Sequence, residues 1–145
     1  HMLDLIIWLL DGKEYEITDY EIFKTYETKR KGFSDFSGNL KFLINNTICE
    51  LNDTEDNPTE YIQITTENKT FNIDEPNQKL TETEGDSVMN MDFEVPFQSQ
   101  LTSEVVKAII WNGDIMIPDL KQSFLSHKIL FEFMEKVDVS GLNIT

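Results

Sequence analysis

Short runs in which apolar and polar residues alternate, parted by two or three turn-forming residues, recur along this chain and constrain its fold more than anything else in it. Leu40, Phe42 and Ile44 alternate, Asn45-Asn46 can turn, and Ile48 to Leu51 returns. Ile62 and Ile64 run up, Glu67-Asn68-Lys69 turns, and Phe71 and Ile73 run down. Met89, Met91, Phe93, Val95 and Phe97 then alternate with Asn90, Asp92, Glu94, Pro96 and Gln98, the pattern of a strand with one buried face. Proline cannot donate to a ladder, so Pro96 places that strand at a sheet edge.

In the N-terminal run Leu3, Leu5, Ile7 and Leu9 form one alternating set and Ile6, Trp8 and Leu10 the other, with Asp4 inside, which predicts a central strand. Asp11-Gly12 tolerates positive φ and predicts a two-residue hairpin, with a return strand in Glu14–Ile17. Residues 18–31 fit two patterns. Tyr20, Phe23 and Tyr26 have helical spacing behind a capping Thr18 or Asp19, while Tyr20, Ile22 and the neighbouring Thr and Tyr residues favour a strand. The expectation is a strand, then a loop holding Lys29-Arg30-Lys31.

Further on, Asn52–Thr59 is expected to be an acidic loop and Asp74–Ser87, nearly devoid of apolar residues, a long mobile one. Thr102 can cap a helix carrying Val105, Val106, Ile109 and Ile110, ended by Asn112-Gly113, with a short strand Ile115–Ile117 before Pro118. Phe124–Val139 offers a helical stripe (Leu130, Phe133, Met134, Val137) and an alternating set (Ile129, Phe131, Phe133, Val137, Val139). Its long unbranched residues favour helix in the first half. The predicted class is α+β: a mostly antiparallel β-sheet or partly open barrel built from hairpins, with one or two C-terminal helices, in a single globular domain over residues 1–145. His1-Met2 is taken as a cloning remnant before the native start.

Charge constrains partners rather than fold. Of the 27 acidic residues, thirteen lie in Glu50–Glu94 against two bases, Lys69 and Lys79, a net charge of −11 in a chain of −15. Phosphate neutralisation requires Lys and Arg, so direct binding to nucleic acid or anionic membrane is disfavoured, and a basic protein partner is favoured. The residues expected to bind it are Glu50, Asp53, Glu55, Asp56, Glu60, Asp74, Glu75, Glu82, Glu84 and Asp86. The N-terminal apolar run is too short to span a bilayer and lacks the basic flank of a secretory signal, so a cytoplasmic protein is expected.

Chemistry-bearing constellations are sparse. His127 is the one histidine besides His1, and Cys49 the single cysteine, so triads, Cys–His dyads and zinc sites lack members. Cys49 is expected to pack in its strand, and His127, in an amphipathic segment, to be a surface or half-buried histidine rather than a base. The run from Asn52 to Asn57 offers hard oxygens to calcium, without the turn glycine or the distal Glu of a helix–loop–helix site. The six glycines build no phosphate loop. No catalytic residue, cofactor or metal is expected.

Residues Leu5–Ile44 also carry a set of features: Leu9-Leu10-Asp11-Gly12-Lys13-Glu14-Tyr15-Glu16-Ile17, then Asp19-Tyr20, a loop with Gly32 and Ser34, and Gly38-Asn39 opening the next strand. In these the chain resembles the tube proteins of bacterial contractile (type VI) secretion systems and phage tails. The Arg-Pro-Ser usual in that loop is absent, with Phe33 where proline is expected. The resemblance implies a β-barrel with one helix, stacking as hexameric rings without catalytic residues, and a strand at Ile129–Val139. Two functional readings follow. One is an acidic inhibitor, immunity or anti-defence protein docking on a basic nucleic-acid-handling partner, and the other a self-associating tube subunit. A third, an enzyme using His127 and a carboxylate, has less behind it.

Overall fold

Residues 2–54, 61–96, 98–112 and 119–137 are described in the computed structural model. The chain divides into two compact units, residues 1–57 with 117–145, and residues 58–116. Each holds an antiparallel sheet, three-stranded in the first and four-stranded in the second, and neither closes into a barrel. With three α-helices among the described residues, the class is the α+β expected.

The first unit begins with a correction. Met2–Leu9 is a helix, α1, and not a central strand. A run apolar but for Asp4 satisfies both periods, and here the 3.6-residue one wins. Leu3, Ile6, Ile7 and Leu10 form one face packed on the core, while Trp8 and Leu9 are exposed. Asp11-Gly12 closes this helix instead of turning a hairpin. Asp11 takes a positive φ of 46°, its N–H reaches the Trp8 carbonyl at 3.3 Å, and the Gly12 N–H reaches the Ile7 carbonyl at 2.9 Å. That pair of bonds is a Schellman cap, which uses the same left-handed tolerance a hairpin needs.

Three strands follow: β1 (Tyr15–Glu27), β2 (Ser34–Ile44) and β3 (Thr47–Asp53), in that order. β1 carries two register shifts, between Ile17 and Asp19 and between Ile22 and Lys24. Each extra residue resets the alternation. Tyr15, Ile17, Tyr20 and Ile22 therefore meet Ile44, Phe42, Leu40 and Gly38 on one face, although their spacing is not strictly two. Tyr20 and Tyr26 stand across from Leu40 and Asp35, on opposite faces, with Phe23 the extra residue of the second bulge, so their helical spacing marks no shared stripe. Asn45 and Asn46 both have positive φ, 49° and 64°, and turn β2 into β3 as expected.

A helix of the second unit, α2 (Gln98–Lys107), comes next in the chain, and α3 (Leu120–Lys136) lies against this sheet. Asp119 caps α3, its side chain accepting from the Gln122 N–H at 2.7 Å. Ser126, Ile129 and Phe133 are its buried face, while Phe131, which a strand would align with them, is exposed. The helical reading of this segment holds through Lys136, and the strand that the tube resemblance implied there is replaced by helix. Val139 lies outside the described residues. Phe42, Ile44 and Ile129 are fully buried and lead a core completed by Ile7, Leu40, Cys49 and Phe133. Each large side chain so buried contributes about 1.5–3 kcal/mol.

In the second unit β4 (Ile62–Thr65), β5 (Thr70–Asp74), β6 (Lys79–Glu84) and β7 (Ser87–Asp92) form a meander in sequence order. The β4–β5 hairpin is the one expected. The long loop expected at Asp74–Ser87 is instead two tight turns around β6. Asp74 Oδ1 accepts from the Asn77 N–H at 3.0 Å in the first, and Gly85, at φ 56°, opens the second. A strand needs neighbours more than it needs apolar residues, and β6 has one on each side. β7 does lie at an edge, but all six of its residues are exposed, and it ends at Asp92, before Pro96. α2 (Gln98–Lys107) starts four residues ahead of Thr102, which is inside the helix rather than its cap, and a π-helical turn continues it over Ala108–Asn112. The strand expected at Ile115–Ile117 lies outside the described residues.

Candidate functional site

Cross-strand register sorts the second sheet into two unlike faces. On one, Gln63 pairs with Asn72 and Thr81 with Asn90, each bridged by a side-chain hydrogen bond, of 2.8 and 2.9 Å. On the other, Ile62, Ile73, Leu80 and Met91 form one row across the four strands, and Ile64, Phe71, Glu82 and Met89 form the next. A third row on that face joins Glu84 to Ser87. Paired residues in an antiparallel ladder share a face, so the apolar rows are contiguous.

No residue described in this unit is fully buried. Met89 and Met91 are 47% and 39% exposed, while Ile62, Ile64, Phe71, Ile73 and Leu80 are half-buried, and the π-helical turn after α2 is open, with Ile109 at 51% and Trp111 at 72%. A sheet with one apolar face ordinarily covers it with another layer.

The acids at the end of this face are organised around a single base. Lys69 Nζ lies 2.5 Å from Glu82 Oε1 and 3.2 Å from Glu84 Oε2. These two carboxylates hold the Lys69 ammonium above its ordinary range, chiefly through the hydrogen bond to Glu82 and then that to Glu84. The Glu82 side chain is 15% exposed, whereas Glu84 is open to solvent. Asp86 follows in the Gly85 turn.

The other acids expected to share this surface do not all gather here. Asp74 and Glu75 sit at the opposite end of β6, where Asp74 accepts from both Asn77 nitrogens. Glu50 and Asp53 belong to β3 of the first unit. There Glu50 accepts from Asn39 at 2.8 Å and Asn52 at 3.0 Å and lies 3.7 Å from Lys41. The Asn52 and Asn39 hydrogen bonds hold its carboxyl below the usual range. Glu55, Asp56 and Glu60 lie outside the described residues. By unit, the charge is −7 in the first and −8 in the second, over 86 and 59 residues, so the excess in the middle of the sequence is parted between two bodies.

The histidine and cysteine have structural surroundings. His127 is exposed on α3, and its Nδ1 donates to the Ser123 carbonyl at 2.6 Å. Cys49 is buried in the core, and burial pushes its thiol up, away from the reactive thiolate. Among the described residues no group of three His, Cys, Asp or Glu side chains is placed to hold a metal ion. Nor is any described helix long and apolar enough to cross a membrane. In the basic loop, Arg30 stacks its guanidinium 4.2 Å from the Phe33 ring centroid.

Sequence reasoning missed the apolar rows as a surface, because alternation shows which residues share a face and not whether anything covers it. No protein-family model, curated protein or solved structure matches this chain.

Proposed function

We propose that this chain is a non-catalytic, acidic protein-interaction domain that docks on a basic, nucleic-acid-handling protein. The observation that supports it best is the apolar face of the β4–β7 sheet, exposed at Met89 and Met91 among the described residues and ended by Glu82 and Glu84, within a unit of net charge −8. Interfaces combine an apolar centre with a charged rim, and the rim supplies steering and partner choice. An acid-rich rim selects a cation-rich partner and repels nucleic acid itself.

The test is affinity for a panel of purified basic nucleic-acid-binding proteins, at low and at high salt, with DNA as competitor. The expected result is binding to at least one member that weakens steeply with salt and is competed by DNA. Binding that ignores salt, or no affinity for any member, overturns the proposal.

A further inference from the structure

The two apolar rows of the β4–β7 sheet have dimensions that select their occupant. Four strands about 4.8 Å apart span roughly 14 Å, and rows two residues apart on a strand lie about 7 Å from each other. An α-helix is about 10 Å across, and three of its turns are about 16 Å long, so one short helix laid across the strands covers both rows. Ile62, Ile73, Leu80 and Met91 would then lie under one flank, with Ile64, Phe71 and Met89 under the other. The second flank also runs past Glu82 and the third row, where Glu84 stands.

We propose that this face receives a basic amphipathic helix of a partner protein, its apolar side on the two rows and its lysines or arginines toward Glu82 and Glu84. This deepens the reading above and rests on it. Charge complementarity decides among occupants. A second copy would bring another unit of net charge −8 against the first. The chain's own α2 has one base, Lys107, already 2.7 Å from Glu104, so it brings no net positive charge to the acidic flank. A partner helix with cations along one side meets the apolar rows and adds to the single positive charge that Lys69 brings to the two carboxylates, in a unit that stays at −8 with Lys69 counted. Lys69, clamped between Glu82 and Glu84, occupies the place such a cation would share. Met89 and Met91, unbranched and adaptable, suit a surface that must fit side chains it does not itself specify.

The probe is a synthetic peptide of leucines and lysines at helical spacing, four turns long, titrated into the full chain beside a scrambled peptide of the same composition. The helical peptide is expected to bind and gain helicity, and the scrambled one to bind at least about tenfold more weakly. Met89→Asn with Met91→Asn, both exposed and so compatible with folding, should weaken binding by about tenfold or more. Glu84→Gln should flatten its salt dependence. Equal binding of the scrambled peptide, or no effect of the methionine substitutions, overturns the proposal. So does a native mass of two chains that falls to one in the methionine variant, which would assign the face to a second copy. If the helical peptide fails while basic proteins still bind in a salt-dependent way, this inference falls and the acidic interaction domain stands. If neither binds, both fall.

Discussion

The Tyr15 hydroxyl donates a 2.6 Å hydrogen bond to Glu132 Oε2, joining the first residue of β1 to α3 across 117 positions of sequence. Around that bond, Lys128 Nζ lies 5.5 Å from the Tyr15 ring centroid, and Lys136 lies 3.6 Å from Glu132. A cavity of about 340 Å³ opens beside it, lined by Lys13, Glu14, Tyr15, Leu125, Lys128 and Glu132. Burial, and then the hydrogen bond and charge of Glu132, push the Tyr15 hydroxyl up to about 12.

Tyr15→Phe should therefore lower stability by about 1.5 kcal/mol at neutral pH, the low end for a hydrogen bond to a charged group, since Glu132 is partly exposed. The raised hydroxyl gives the pH dependence a definite sign. Its contribution is fully present below the ordinary tyrosine value of 10.0 and is lost as pH rises toward about 12. Urea midpoints of wild type and variant should differ by a constant amount up to that ordinary value and converge above it. A gap that widens with pH would show that the bond is not what Tyr15 contributes.

Gly38 faces the backbone of β1 so closely that a Cβ there would stand 2.5 Å from the Glu21 carbonyl oxygen and 3.4 Å from Ile22 Cα. Backbone cannot swing aside as a side chain does. Gly38→Ala should cost about 2 kcal/mol or more by forcing β1 and β2 apart. Thermal unfolding by circular dichroism reads this, and an unchanged midpoint would mean that the strands separate freely at this pair.

Core and open face should respond differently to truncation. Phe42 is fully buried in the first unit, so Phe42→Ala should cost about 3–5 kcal/mol. Met89, half exposed on the second sheet, should cost less than about 1 kcal/mol as Met89→Ala. Denaturant titrations followed by probes in each unit would separate the two effects. Similar losses at both sites would mean that Met89 is covered in solution.

Cys49, 7% exposed with its thiol pushed up by burial, should react slowly with a thiol reagent in the native protein and fast in urea. The rate should follow unfolding as denaturant rises. Fast labelling of the native chain would require β3 to open locally.

The hairpins β2–β3 and β4–β5 were legible in the residues themselves, because turn chemistry and alternation are properties of neighbours in the chain. Asn45-Asn46 tolerates the left-handed region whatever surrounds it, and Ile62, Ile64, Phe71 and Ile73 alternate before any fold exists. Cys49 in a packed strand was legible on the same grounds. The capping tolerance of Asp11-Gly12 was legible too, but its use was not. A positive φ ends a helix or turns a hairpin, and what precedes it decides which.

What precedes it is Met2–Leu9, apolar but for Asp4 and so compatible with either period, and only packing settled its form. As a helix it places Leu3, Ile6, Ile7 and Leu10 on one core, and no local preference specified that. β6 is the opposite case: almost no apolar residues, yet a strand, because β5 and β7 satisfy its backbone on both sides. The carboxylates show the same division. Composition determined how many there are and of what sign, since charge is a sum over residues. Where they stand was decided by the fold, which sends Glu50 and Asp53 to one body and Glu82 and Glu84 to another around Lys69, because position in space depends on contacts between residues far apart in the chain.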